Sequence, residues 1–236
     1  MHSGGRRGGG LVLAILLILG LAAAGGGGYG LYAQLTRHAT AAEARAAGQR
    51  EVATRWLRMS AGQIFPRTVS YLSTASGGHW SARLVGIAPQ APCAAATDPA
   101  AGTALMRSGC DTVLRATYAD ASGTLIATVG IAVMPSAARA GAAFSVIQEG
   151  VGQGVLAVPF PGTVADLFGN AQRAVFGQQD QGPYILFDSV GFADGRVTHV
   201  ADSDSALRDL GDGIVHAVAG IFVAPGNPCR EKDIRC

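Results

Sequence analysis

The alternation of hydrophobic and polar positions changes its period several times along this chain. Residues 11–24 are apolar apart from Gly20, and no charge stands between Arg7 and Arg37. A run with no polar face predicts an element that is apolar all round. About 20 residues are needed to cross a hydrocarbon layer, and residues 11–33 supply them. Tyr29 and Tyr32 fall where an interfacial aromatic belt is expected. From 41 to 60 the pattern turns helical but of mixed polarity, with Glu43, Arg45, Arg50, Glu51, Arg55 and Arg58, and with Trp56 and Leu57 near its end. It reads as a stalk continuing from the span, broken at Pro66.

Beyond the stalk the period shortens. Residues 79–88 alternate as a strand does, with Pro89 and Pro92 as its stop. Residues 98–108 predict a helix, 111–118 a strand, 119–123 a turn rich in Asp, Ser and Gly, and 124–134 a returning strand. Pro135 ends that strand, and Ser136 is placed to cap a helix with Ala140, Ala143, Phe144 and Ile147 on one face. A similar order follows. Residues 184–192 predict a strand, 193–195 a turn and 196–200 its return. Residues 202–205 then cap a helix with Leu207, Leu210, Ile214, Val218, Ile221 and Phe222 along one side.

The expected fold is therefore α+β: an antiparallel sheet built from two hairpin–helix units, with the helices on one face. An N-terminal transmembrane helix and a helical stalk precede it. In residue terms this is a cytoplasmic tail at 1–10, a transmembrane helix at 11–33, a juxtamembrane stalk at 34–65 and an extracytoplasmic domain at 66–236.

Charge bears on orientation. Arg6 and Arg7 favour a cytoplasmic N-terminus, although Arg37, Arg45 and Arg50 lie on the far side, so the positive-inside rule does not decide alone. A cleaved signal peptide is the rival reading, with Ala22, Ala23 and Ala24 as its cleavage site. The apolar stretch through Tyr32 favours retention, and either reading exports the rest of the chain. No cysteine follows the run to carry a lipid anchor.

Charged residues make up 14% of the chain and the net charge is +2. The basic residues are scattered, which excludes the clustered face that nucleic acid requires.

Four cysteines, Cys93, Cys110, Cys229 and Cys236, lie in the exported part. An even count there reads as two disulfides with three possible connectivities. Cys93–Cys110 and Cys229–Cys236 is preferred, since the first would clip a helix to the start of a strand and the second would pin the C-terminus. The alternative, free or metal-bound thiols, lacks the spacing of a zinc site.

Between the two units, residues 150–162 carry no charge. Val155, Leu156, Val158 and Phe160 either pack on the sheet or form a contact surface for a protein, lipid or small ligand. Residues 163–166 resemble a capped helix start. Gly152, Gly154 and Ala157 match part of a dinucleotide fingerprint, but that motif works only between a strand and a helix. No cofactor is expected. His38, His79, His199 and His216 are dispersed, Asp202 and Asp204 read as caps, and no serine stands in G-x-S-x-G. The sequence thus nominates no catalytic or metal-binding residue and is read as non-enzymatic.

Three stretches carry a resemblance: 54–66 (TRWLRMSAGQIFP), 110–135 (CDTVLRATYADASGTLIATVGIAVMP) and 184–196 (YILFDSVGFADGR). Together they resemble uncharacterised membrane-anchored proteins of high-GC, actinomycete-type bacteria. In layout alone, the chain is distantly similar to the exported sensor domains of actinomycete receptor kinases. The resemblance implies a cell-envelope setting and no activity. The expected function is that of a membrane-anchored accessory protein with an envelope protein partner; the alternative is an extracytoplasmic domain binding a small molecule or lipid.

Overall fold

A computed structural model of the chain describes residues 37–74, 76–148, 153–197 and 204–231, with Gly20, Gly28 and Tyr32 as isolated positions. The expected span at 11–33 otherwise lies outside the described residues, as do 198–203 and Cys236. Among the described residues no helix is long and apolar enough to cross a membrane. The chain divides into two compact units, Met1–Gly48 with Asn227–Cys236, and Gln49–Gly226.

In the first unit, helix α1 (Ala41–Arg58) begins at a reciprocal cap. The Thr40 N–H donates to the Glu43 carboxylate at 2.8 Å, and the Glu43 N–H donates back to Thr40 Oγ1 at 3.3 Å. Arg37 binds the same carboxylate through both of its terminal nitrogens, at 2.8 and 2.6 Å. Asn227 caps a short 3-10 turn, Pro228–Arg230, by accepting from the Cys229 N–H. Cys229 is disulfide-bonded, as expected.

The second unit is the α+β domain. The last ten residues of α1 and a single turn, α2 (Ala61–Ile64), lead into strand β1 (Thr68–Leu72). There follow β2 (His79–Ala91), a turn α3 (Cys93–Ala96), α4 (Pro99–Arg107), β3 (Thr112–Asp120), β4 (Leu125–Val133) and α5 (Ala137–Gln148). After a long strap come β5 (Arg173–Gln181), β6 (Tyr184–Phe192) and α6 (Asp204–Val223). The strands form one six-stranded sheet in the order β1-β2-β3-β4-β6-β5, antiparallel at every pairing. The disulfide Cys93–Cys110 ties α3 to the entry of β3, as the sequence predicted.

Two hairpins each followed by a helix are present, but they differ from expectation in two ways. The second hairpin is β5 with β6, turned at Gly182 and Pro183, and residues 196–197 form no strand. The segment 173–181 has Gln178, Gln179, Asp180 and Gln181 at its end, so it lacks the apolar signature of a strand. It pairs because it closes the sheet's edge beside β6.

The helices also lie on both faces, not one. Leu207, Leu210, Ile214, Val218 and Phe222 of α6 pack with Leu114, Tyr118, Val129, Ile131, Tyr184 and Leu186. The opposite side chains, Val113, Ala132, Ile185 and Phe187, pack with residues of α3, α4 and α5. β6 is buried at every one of its positions, so each hairpin has two faces to cover rather than one.

Some local signals acted differently from their usual reading. Pro89 does not stop β2; it lies in an irregularity between Ala88 and Ala91, on a stretch that β1 no longer pairs. Ser136 does cap α5, accepting from the Arg139 N–H at 3.3 Å. The expected turn at 119–123 is built around Asp120, which accepts from the Thr124 and Leu125 N–H groups at 2.8 Å each. The expected helix start at 163–166 is a series of turns with no helix.

One ion pair locks α1 to the domain. Arg55 donates to Glu51 at 3.2 and 2.5 Å, and both side chains are buried. The same guanidinium donates to the carbonyls of Ile221, Phe222 and Ala224 at 3.3, 3.0 and 2.9 Å, supplying the C-terminus of α6 with a charged cap. Tyr184 adds a bond from its hydroxyl to the Val52 carbonyl at 2.6 Å.

Replacing Arg55 by Met removes the guanidinium facing a fully buried carboxylate and is expected to cost about 3–5 kcal/mol. The Glu51→Leu, Arg55→Met pair is expected to regain a substantial part of that loss. Urea unfolding of the three variants measures both.

Candidate functional site: a strap laid across the sheet

Residues 153–172 cross the face of the sheet opposite α6 without forming helix or strand, apart from a final 3-10 turn, Asn170–Gln172. Such a segment brings backbone N–H and C=O groups against an apolar core, where each needs a partner. The sheet supplies them from three buried polar side chains, Thr117, Thr128 and Ser189. The Val158 N–H donates to Thr128 Oγ1 at 3.1 Å, and Thr117 Oγ1 donates to the Val158 carbonyl at 2.8 Å. The two threonine hydroxyls are 2.9 Å apart. Because the Thr117 proton is already directed at Val158, Thr128 is the donor between them, and the three groups close a ring of hydrogen bonds. Ser189 Oγ donates to the Val155 carbonyl at 2.6 Å.

A second clamp holds the start of the strap. Arg173 binds both Asp98 oxygens at 2.8 Å and the Val155 carbonyl at 3.1 Å, while the Gly154 N–H donates to Asp98 at 2.9 Å. Burial alone would push the Asp98 carboxyl up, but Arg173 and the Gly154 N–H outweigh it and hold it below the usual carboxylate range. Asp98 is therefore occupied by the strap and does not cap α4 through its side chain. The strap also adds a bridge between Val155 and Thr97, with the Leu156 N–H on the Ala96 carbonyl at 2.8 Å.

Two glycines make room for this layer. A Cβ on Gly130 would lie 2.7 Å from a Val155 methyl, and one on Gly86 would lie 2.3 Å from the Phe160 ring. The four strap residues singled out from the sequence thus divide. Val155 is fully buried and belongs to the core with Phe187 and Met134, so it faces no partner. Leu156, Val158 and Phe160 are half-buried over the sheet. Exposed apolar side chains come slightly later, at Val164 and Leu167, which are 50% and 60% exposed. Between them Ala165 and Phe168 are buried with Ala119 and Ile126, which fixes the turn in place. Val164 lies against Gly123 of the β3–β4 turn and Leu167 against Gly195 beyond β6. Both therefore stand at the same end of the sheet. The sequence reading missed them because it treated 163–166 as the start of a helix.

Other buried polar groups remain. Arg115 is half-buried, its Nε has no hydrogen-bond partner, and burial lowers its pKa. Asp188 is enclosed on the α6 face, with Oδ1 unpartnered. The signal for Asp188 was available in the strand pattern: it shares parity with Tyr184, Leu186, Val190 and Phe192, all of which face the core. A cavity lined by Trp56, Met59, Ile64, Phe65, Ile87 and Arg115 among others encloses about 80 Å³, well below the roughly 300–1,000 Å³ of small-molecule sites. Among the described residues no cluster of three or more His, Cys, Asp or Glu side chains is placed to hold a metal ion. The histidines stay apart along the chain, with His79 on β2 and His216 on α6. No family model, curated protein or solved structure matches the chain.

The seating of Phe160 over Gly86 can be tested by a double-mutant cycle. Gly86→Ala is expected to cost about 1–3 kcal/mol through overpacking against the ring. Combined with Phe160→Ala, which opens the space, its additional cost should nearly vanish; strict additivity in urea unfolding would place the ring elsewhere.

Proposed function

We propose that this chain is a membrane-anchored, extracytoplasmic interaction protein of the bacterial cell envelope, acting by contact and not by catalysis. Residues 11–33 serve as its single span, with a cytoplasmic N-terminus and the domain outside. The observation that carries the reading is the apolar end of the strap. Val164 and Leu167 project into solvent from a segment bonded at several points to the sheet, and residues 153–165 carry no charge. A segment fixed to the sheet that presents large apolar side chains is suited to a protein partner: little order is lost on docking, and apolar area is gained. The half-buried Leu156, Val158 and Phe160 extend that surface along the strap. The disulfide Cys93–Cys110 suits an oxidising compartment.

A second reading is capture of a small anionic or lipidic ligand, and it rests on Arg115, whose buried Nε lacks an acceptor. The size of the cavity that Arg115 lines weighs against it.

Purification of the full-length chain from its membrane in mild detergent, followed by mass spectrometry, tests the two. The wild type should carry a protein in fixed stoichiometry, and Val164→Ser with Leu167→Ser should release it without lowering the melting temperature. Retention of the partner by that variant, or a wild type that carries only a small molecule, overturns the contact reading.

A further inference from the structure

The sheet face under α6 holds a carboxyl group that the strap does not use. Asp188 is 2% exposed, paired across the sheet to Val129 of β4 on one side and Gly177 of β5 on the other. Two glycines shape its chamber. A Cβ on Gly177 would lie 2.1 Å from Oδ1, and one on Gly211 of α6 would lie 2.3 Å from Oδ2. The carboxyl occupies the space that both missing side chains leave, and Oδ1 has no hydrogen-bond partner.

The charged group facing Asp188 from α6 is another acid, Asp212, and it works with burial to disfavour ionisation. Asp212 is itself pushed up by burial and by Asp209, with Arg208 acting in the opposite sense. From β5 the Gly177 N–H is the polar group that favours the charged form, and from β4 Val129 offers none. Burial and Asp212 outweigh the Gly177 N–H, so the arrangement favours the neutral acid over the carboxylate.

The part of α6 above it carries two glycines. Gly211 and Gly213 lie within one turn, the second where a Cβ would stand 2.3 Å from Tyr71 Cβ. Each glycine weakens the helix relative to alanine.

We propose that Asp188 is a proton-operated latch beneath α6: protonated, its neutral carboxyl is sealed between Gly177 and Gly211; ionised, it loosens the Asp209–Gly213 segment from the sheet so that water reaches the charge. Burial raises the closed-state pKa to about 7 from the ordinary 3.8. The sign follows. The closed state holds its proton longer than the open one, so closure is most favoured below pH 3.8 and weakens as pH rises. The open population grows up to tenfold per pH unit until about pH 7 and is level above it.

Amide hydrogen exchange on the full-length chain in detergent, from pH 4.5 to 8.5 and corrected for intrinsic exchange, reads this directly. Protection in α6 around residues 209–213 should fall with rising pH in the wild type and level off. Asp188→Asn should abolish the pH dependence, while Asp212→Asn, which removes the like charge, should move its end-point to lower pH. A wild-type slope that persists unchanged in Asp188→Asn overturns the latch, as does uniform protection across the range. Should Asp188→Asn fail to fold, carboxyl-labelled NMR titration of the wild type decides: an Asp188 carboxyl already ionised at pH 5 overturns the proposal, and one still protonated there supports it.

Discussion

A backbone segment without helix or strand lies on one face of the sheet, and its buried N–H and C=O groups have to be met there. That requirement organises much of the domain. It explains why Thr117, Thr128 and Ser189 stand at inward positions of central strands, where Val or Ile would otherwise be expected. It also explains why Arg173 and Asp98, far apart in sequence, meet at the point where the strap enters. The disulfide belongs to the same system: Cys93 begins the turn whose Ala96 and Thr97 receive the strap, and Cys110 fastens that turn to β3.

Close approach is the second half of this solution. The strap sits low because Gly130 and Gly86 leave room for Val155 and Phe160. On the other face Gly177 and Gly211 leave room for Asp188, and Gly213 for Tyr71. The two faces use the same device toward opposite ends. The strap side closes its polar groups into a hydrogen-bonded ring, which favours a single arrangement. The α6 side encloses a carboxyl whose Oδ1 no donor meets, so its stability depends on a proton. The hydrogen-bonded ring fixes the strap; the unpartnered Oδ1 of Asp188 leaves α6 adjustable.

The sequence was most legible where one local rule acted alone. β3, β4 and β6 are continuous runs of strand-forming residues between turn signals, α5 and α6 follow the helical period, Ser136 caps α5, and the Cys93–Cys110 pair matches the preferred connectivity of the four cysteines. It was least legible where tertiary contact overrode the local pattern. Strand β1 at 68–72 is short and sits beyond Pro66. β5 ends in polar residues because it is an edge, which alternation cannot reveal. The assignment of helices to a single face failed because each hairpin was taken to have one apolar face, while β6 reads Tyr-Ile-Leu-Phe with no alternation at all. That continuous run signals burial on both sides. The exposed apolar side chains of the strap lie a few residues beyond the ones the sequence singled out, since nothing local distinguishes a seated Val155 from an exposed Val164. What separates them is the notch at Gly130, a residue on another strand.

The C-terminal end of α6 and its Asp209–Gly213 segment are held by different physics, and this bears on how movement there would be confined. Its C-terminal carbonyls are fixed by Arg55, whose charge is itself matched by the buried Glu51. Phe222 packs on Tyr184 at 4.5 Å between ring centroids, and the Tyr184 hydroxyl reaches back to α1. Lifting that end would strand a guanidinium and a carboxylate in the core, at a cost of several kcal/mol. The Asp209–Gly213 segment has no comparable anchor at Asp188. Asp209 is tied instead to Thr74, through the backbone N–H at 2.7 Å and the hydroxyl at 2.8 Å, in a loop at the sheet's margin. A charge forming under Gly211 would therefore be relieved by bending the helix at its glycines rather than by releasing it whole, with α1 and the end of α6 remaining in place.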